Sequence, residues 1–174
     1  MLEGEFVARR MLDPAAVGKA LWWGTSGERV RQQNDLGALV LDFTRTSGVV
    51  IWGEDVRLEI PEVSEWELLD SLREDCRNMK EHGQGGGLHA VEWLFTAARG
   101  LLWLSERSLA SKSEAADWAF AHARGEWREL LPRAKQIRLN PGMIEKAEVR
   151  SWLAELTPAI QQARAELDMT LPPG

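Results

Sequence analysis

The sequence predicts a mainly α protein, a helical bundle of about five helices preceded by a small α/β remnant. Three observations carry this. Two Ser-x-x-Glu pairs, Ser64/Glu67 and Ser111/Glu114, each stand at the head of a helix-forming run, the pattern of a capping box. Val91, Leu94, Phe95, Ala98, Leu101 and Leu102 recur at three- and four-residue spacing and trace one face of a long helix. The β-branched and alternating stretches are short and confined to residues 1–60.

In chain order, "LEGEFVA" (2–8) alternates and predicts a short strand. "DPAAVGKALWWG" (13–24) offers Asp13 as N-cap, Pro14 at the first helical position and Gly24 as a stop, which predicts a helix. "SGERVRQQND" (26–35) is polar and reads as irregular. Leu36, Leu39, Val40 and Phe43 have helical spacing and end at Gly48. "VVIWGED" (49–55) reads as a strand or an extended linker. From Pro61 the pattern becomes helical. The helix opened by Ser64 carries Trp66, Leu69, Leu72 and Cys76 on one side and runs to about His82, where "GQGGG" (83–87) reads as a flexible linker. The long apolar helix ends near Arg107, and the helix capped by Ser111 follows. Another spans about 126–139 with Pro132 expected to kink or split it. Asn140–Pro141 and Thr157–Pro158 suggest two final helices or one bent one. The expected organisation is residues 1–60 as the remnant, 61–168 as the bundle and 169–174 as a tail.

Composition narrows the class. The chain has 174 residues, 44% of them hydrophobic and 28% charged, enough for a real core. No apolar run has the length of a bilayer span, and the first ten residues lack the basic-then-apolar order of a signal peptide, so a cytoplasmic protein with no membrane partner is expected. A single cysteine excludes an internal disulfide and a cysteine zinc cluster. The net charge of −6 argues against a nucleic-acid partner and suits a cationic ligand. Nine Trp with no Tyr, mostly set among aliphatic residues, point first to core packing. The His residues have no metal-ligand spacing with a carboxylate, and no Gly-x-Ser-x-Gly or phosphate-binding Gly-Lys-Ser/Thr loop occurs. Arg77 and His82 match the spacing of a helical ribonuclease pair, but sit at a helix end before a glycine run, a poor place to hold two side chains in register.

The stretch 98–136, with Arg99, the turn, "SKSEAADWA" and "EWRELLPRA", resembles the C-terminal helical domain of the streptomycin/spectinomycin-type aminoglycoside adenylyltransferases. "SGVVIWGEDVRLEIPEVSEWELLDSL" (47–72) is similar to the family's interdomain segment, and "LEGEFVARRMLDP" (2–14) to a late strand of its catalytic domain. The resemblance implies a nucleotidyltransferase-like protein whose helical half binds an aminoglycoside through carboxylates, by charge-assisted hydrogen bonds to ammonium groups. By register it implies Glu106, Glu114 and Asp117 as substrate-binding residues. The expected aromatic position falls at about Leu101, with Trp103 close by. Arg133 and Lys135 are implied at the nucleotide phosphates, and Glu3 as catalytic base, with Glu5 in the alternative register. Glu114 is also explained by capping, and Asp117 by the helix dipole.

The family's Gly-Ser and Asp-x-Asp element, whose carboxylates hold Mg²⁺ against ATP, has no counterpart in the sequence. The expectation is therefore a chain with no cofactor of its own and no transfer activity alone. ATP and Mg²⁺ enter only with a catalytic half supplied by a partner chain or by coding sequence upstream. The other expectation is a structural bundle that forms a homodimer.

Overall fold

The structure, a computed structural model, describes residues 4–6, 8–12, 20–24, 27–31 and 37–173. Two compact units divide the chain, Met1–Ser71 and Leu72–Gly174.

In the first unit, strands β1 (Gly4–Phe6), β2 (Ala20–Gly24) and β3 (Gly27–Arg31) form a three-stranded antiparallel sheet in the order β1-β2-β3. Phe6 faces Leu21 across the first ladder, and Gly24 faces Gly27 across the second. This corrects the reading of the region as an α/β remnant: the sheet is a meander without a parallel crossover. The end of the expected 13–24 helix is strand β2, and the polar stretch expected to be irregular contains β3. "ALWWG" is a short apolar run, and periodicity cannot separate a strand from a helix at that length; ladder partners on both sides decide it. Residues 13–19, the start of that expected helix, lie outside the described residues.

Helix α1 (Ala38–Ser47) follows and ends where Gly48 N–H donates to Thr44 O at 3.0 Å, as the Leu36–Gly48 pattern predicts. The 49–55 segment forms no strand. Val49, Ile51 and Trp52 stand in solvent, with Trp52 95% exposed. Polar contacts fix its flanks: Arg57 donates to Gly48 O at 2.8 Å, and Arg9 pairs with both Glu54 and Glu59.

Helix α2 (Glu65–His82) starts at the Ser64/Glu67 box, where Ser64 N–H donates to the Glu67 carboxylate at 2.8 Å. Its buried residues are Leu68, Leu72, Cys76 and Met79, whereas Trp66 is 68% exposed. The inward stripe is thus rotated from the one expected through Trp66 and Leu69. Cys76 is free and buried; burial, with Asp168 and Asp75 nearby, pushes its thiol up to about 11.

The second unit is a helical bundle around α3 (His89–Glu106). That helix packs against α4 (Lys112–His122), α5 (Leu131–Leu139) and α7 (Thr157–Thr170). It is buried nearly all round because Ala97, Ala98 and Gly100 let its neighbours approach while Leu94, Phe95, Leu101 and Leu102 fill the gaps. Pro132 splits the expected 126–139 helix as its missing N–H requires: a 3₁₀ turn at Glu126–Leu130 leads into α5, with the proline in the first helical turn. A second 3₁₀ turn, Pro141–Glu145, precedes α6 (Ala147–Ala154). The bundle region therefore carries six α-helices, α2 to α7, rather than about five. Trp103 and Trp127 are buried and Trp93, Trp118 and Trp152 pack against the core, as composition suggests, whereas Trp52 and Trp66 are exposed.

The glycine run between α2 and α3 is a fitted joint and not a flexible linker. Gly85 N–H donates to Thr157 Oγ1 at 2.9 Å, and Gly86 N–H to Leu153 O at 2.9 Å. A Cβ at Gly85 would lie 2.5 Å from Leu153 O, and Gly86 has φ +133, so both places demand glycine. Gln161 closes the joint by donating to Met79 O and Gly83 O at 2.8 and 3.0 Å.

Candidate functional site: the polar face of the α3–α4–α5 hairpins

Helix α3 ends at Arg107, whose φ of 52 puts it in the left-handed conformation while its N–H donates to Trp103 O at 2.8 Å. Four residues later Ser111 caps α4. Ser111 N–H donates to the Glu114 carboxylate at 3.0 Å, and Glu114 N–H donates to Ser111 Oγ at 3.2 Å. The Ser111 hydroxyl and N–H hold the Glu114 carboxyl below its ordinary range. This short turn brings the ends of α3 and α4 together and sets where the predicted residues point.

Glu106, the last residue of α3, accepts the indole N–H of Trp118 on α4. Asp117, one residue earlier on α4, faces α5 instead and accepts Lys135 Nζ on both oxygens, at 2.7 and 2.5 Å. Glu114 is occupied by its cap. The three carboxylates thus share the exposed α3–α4 region, each with its own partner. The fold pairs Asp117, expected at a cationic substrate, with Lys135, expected at a nucleotide. Arg133 lies over the Trp152 ring at 4.8 Å, and Trp103 is buried with the Arg107 guanidinium over its ring at 4.6 Å. Leu101 is buried in the core. Glu3 lies outside the described residues, and Glu5 belongs to β1.

Two carboxylates that the sequence reading did not single out hold more partners than any of these. Glu92, in the first turn of α3, is buried and pairs with Lys112 Nζ at 2.5 Å and Arg138 Nε at 3.1 Å, so one anion ties α3 to α4 and α5. A lone acid inside the apolar run "AVEWLF" was the available signal. Glu166 on α7 accepts the N–H groups of Arg124 and Gly125, at 2.7 and 2.9 Å, and the Trp127 indole N–H at 2.8 Å. Burial alone would push its carboxyl up, but these donors outweigh it and the net pKa is lowered. No local pattern announces Glu166, since Trp127 lies far away in sequence. Deeper in the bundle, burial lowers Arg99 and raises Asp75 to about 6, with each group's charge partly opposing the other's shift. Among the described residues no group of three or more His, Cys, Asp or Glu side chains is placed to hold a metal ion. No described helix is long and apolar enough to cross a membrane.

The second and third helices of the bundle are thus joined by a cap-closed turn, with carboxylates at that turn and basic residues on the next helix. The family described as Aminoglycoside adenylyltransferase, C-terminal domain, matches residues 60–166, more than half of the chain. The chain belongs to this family. A search of curated proteins finds no match.

Proposed function

We propose that the chain acts as the cation-recognising half of an aminoglycoside-type nucleotidyltransferase, with Glu106, Glu114 and Asp117 receiving the ammonium groups of an aminoglycoside-like molecule. The observation that carries this reading is the family match over residues 60–166, which contains all three carboxylates. The Asp117–Lys135 pair is compatible with it. The Asp117 side chain is 66% exposed, and ion pairs at such positions contribute about 0–1 kcal/mol, so a ligand with several ammonium groups displaces Lys135 at little cost. Lys135 then becomes available, beside Arg133, to a phosphate. Trp103 supports the site from within, as the packed floor under Arg107.

Transfer itself is not assigned to this chain. The sequence holds no Asp-x-Asp. ATP and Mg²⁺ belong to the reading only where a catalytic half carries them. A cytoplasmic location is part of the same reading.

Calorimetric titration with streptomycin and spectinomycin tests it. Binding is expected to weaken about tenfold or more in the Glu106→Gln/Asp117→Asn double variant and to weaken with added salt. Absence of binding heat at millimolar drug, or a double variant that binds as well as the parent, overturns the reading. ATP-dependent modification of drug is expected only after a chain bearing Gly-Ser and Asp-x-Asp is added.

A second reading is favoured by the solvent-facing Val49, Ile51 and Trp52: an interaction bundle that forms a homodimer through this apolar segment. Sedimentation would then show a concentration-dependent dimer that Ile51→Lys dissolves, with no drug binding. A monomer at every concentration excludes it.

A further inference from the structure

A hollow of about 630 Å³ opens among the C-terminal ends of α3, α4 and α7, away from the Asp117–Lys135 pair. Leu101, Leu104, Ala165 and Met169 give it an apolar lining. Trp118 forms a wall that is held in place before any ligand arrives. Its indole N–H is tied to Glu106, and its ring stacks on His122 with centroids 4.8 Å apart and planes 19° from parallel. His122 is itself pinned, donating Nδ1–H to Trp118 O at 2.8 Å. A pre-ordered aromatic plate in an apolar hollow of this size is suited to a small ligand with a flat body.

The polar groups decide the ligand's charge. Glu166 also lines the hollow, but three N–H donors already occupy its two oxygens. The Gln162 oxygen is taken by Trp127 N–H at 3.0 Å. The Arg124 guanidinium, the Gln162 NH₂ and the Ser105 hydroxyl also belong to the lining; the Arg124 charge acts on Glu166, but none of these three donors makes a hydrogen bond among the described residues. The Glu166 and Gln162 oxygens are occupied, His122 Nε2 is left as an acceptor, and three side-chain donors, one of them cationic, make no hydrogen bond. We propose that this hollow is a second ligand site, separate from the Asp117–Lys135 pair and adjoining Glu106 through Trp118, and that it takes an aromatic carboxylate: the ring lies against Trp118 and Leu104, and the carboxylate accepts from Arg124 and Gln162.

The test uses 1-naphthoate as probe and 1-naphthylmethylamine as its cationic counterpart, followed by NMR on the indole N–H signals of the full chain, with Trp118 assigned through Trp118→Phe. The Trp118 signal is expected to shift with a Kd of roughly 1 mM or tighter. Arg124→Gln is expected to weaken naphthoate about tenfold, and Ser105→Trp, which fills the hollow from an exposed helix position, to abolish binding. Both variants are checked for an unchanged thermal midpoint. Asp117→Asn leaves naphthoate binding unaltered, so this test and the aminoglycoside titration fail independently. A Trp118 signal unmoved at several millimolar naphthoate, tighter binding of the amine, or full binding in Arg124→Gln overturns the proposal.

Discussion

The indole of Trp127 donates to the Glu166 carboxylate at 2.8 Å, linking the loop after α4 to α7 across 39 residues of sequence. The same carboxylate accepts the N–H groups of Arg124 and Gly125, so one side chain satisfies the backbone of the turn and the polar edge of a fully buried tryptophan. Truncating it strands three donors at once. Glu166→Ala is expected to cost about 2–4 kcal/mol and Glu166→Gln about 1–2, read as the denaturant midpoint.

Because the folded pKa of Glu166 lies below the ordinary 4.5, its contribution is fully present above that value and is lost as pH falls through the lowered folded pKa. The gap between the parent and Glu166→Gln is therefore expected to close on acidification below about pH 4.5. A gap that stays constant to pH 3 would assign the cost to packing instead.

Asp75 runs the opposite way. Burial raises it from 3.8 to about 6, so the folded chain keeps this proton at pH values where the unfolded chain has released it. Its penalty appears as pH rises from about 4 and is complete above 6. Asp75→Asn is expected to be more stable than the parent at pH 7, by about 1–2 kcal/mol, with no difference below about pH 4. Thermal melts across that range check both ends.

Glu92 holds two cations from two helices, and its side chain is the buried member of the group. Glu92→Gln is expected to cost about 2 kcal/mol or more, since Lys112 and Arg138 are left facing each other across a neutral amide. In a double-mutant cycle with Lys112→Met, the coupling should exceed that of the exposed Asp117–Lys135 pair, expected at about 0–1 kcal/mol.

At the joint between α2 and α3, Gly85→Ala would drive a methyl group into the carbonyls of Leu153 and Ala154. A loss of about 2 kcal/mol or more is expected. Gly87→Ala, where nothing lies within 4 Å of the added atom, is the control and should stay close to the parent.

The sequence by itself determined the helical second half. Capping boxes at Ser64 and Ser111, the apolar face of α3 and the break at Pro132 are local chemistry, decided by side chains three or four residues apart, and α2, α3, α4 and α5 lie where that chemistry puts them. Family membership was legible for the same reason, since it rests on the order of those local signals. Only the tertiary structure decided the rest. Whether "ALWWG" became a strand depended on ladder partners on both sides. The role of the glycine run depended on carbonyls of Leu153 and Ala154 arriving from α6, and the partners of Glu92, Asp117 and Glu166 came from other helices. Such contacts are set by how whole elements pack, a long-range property that no window of neighbouring residues contains.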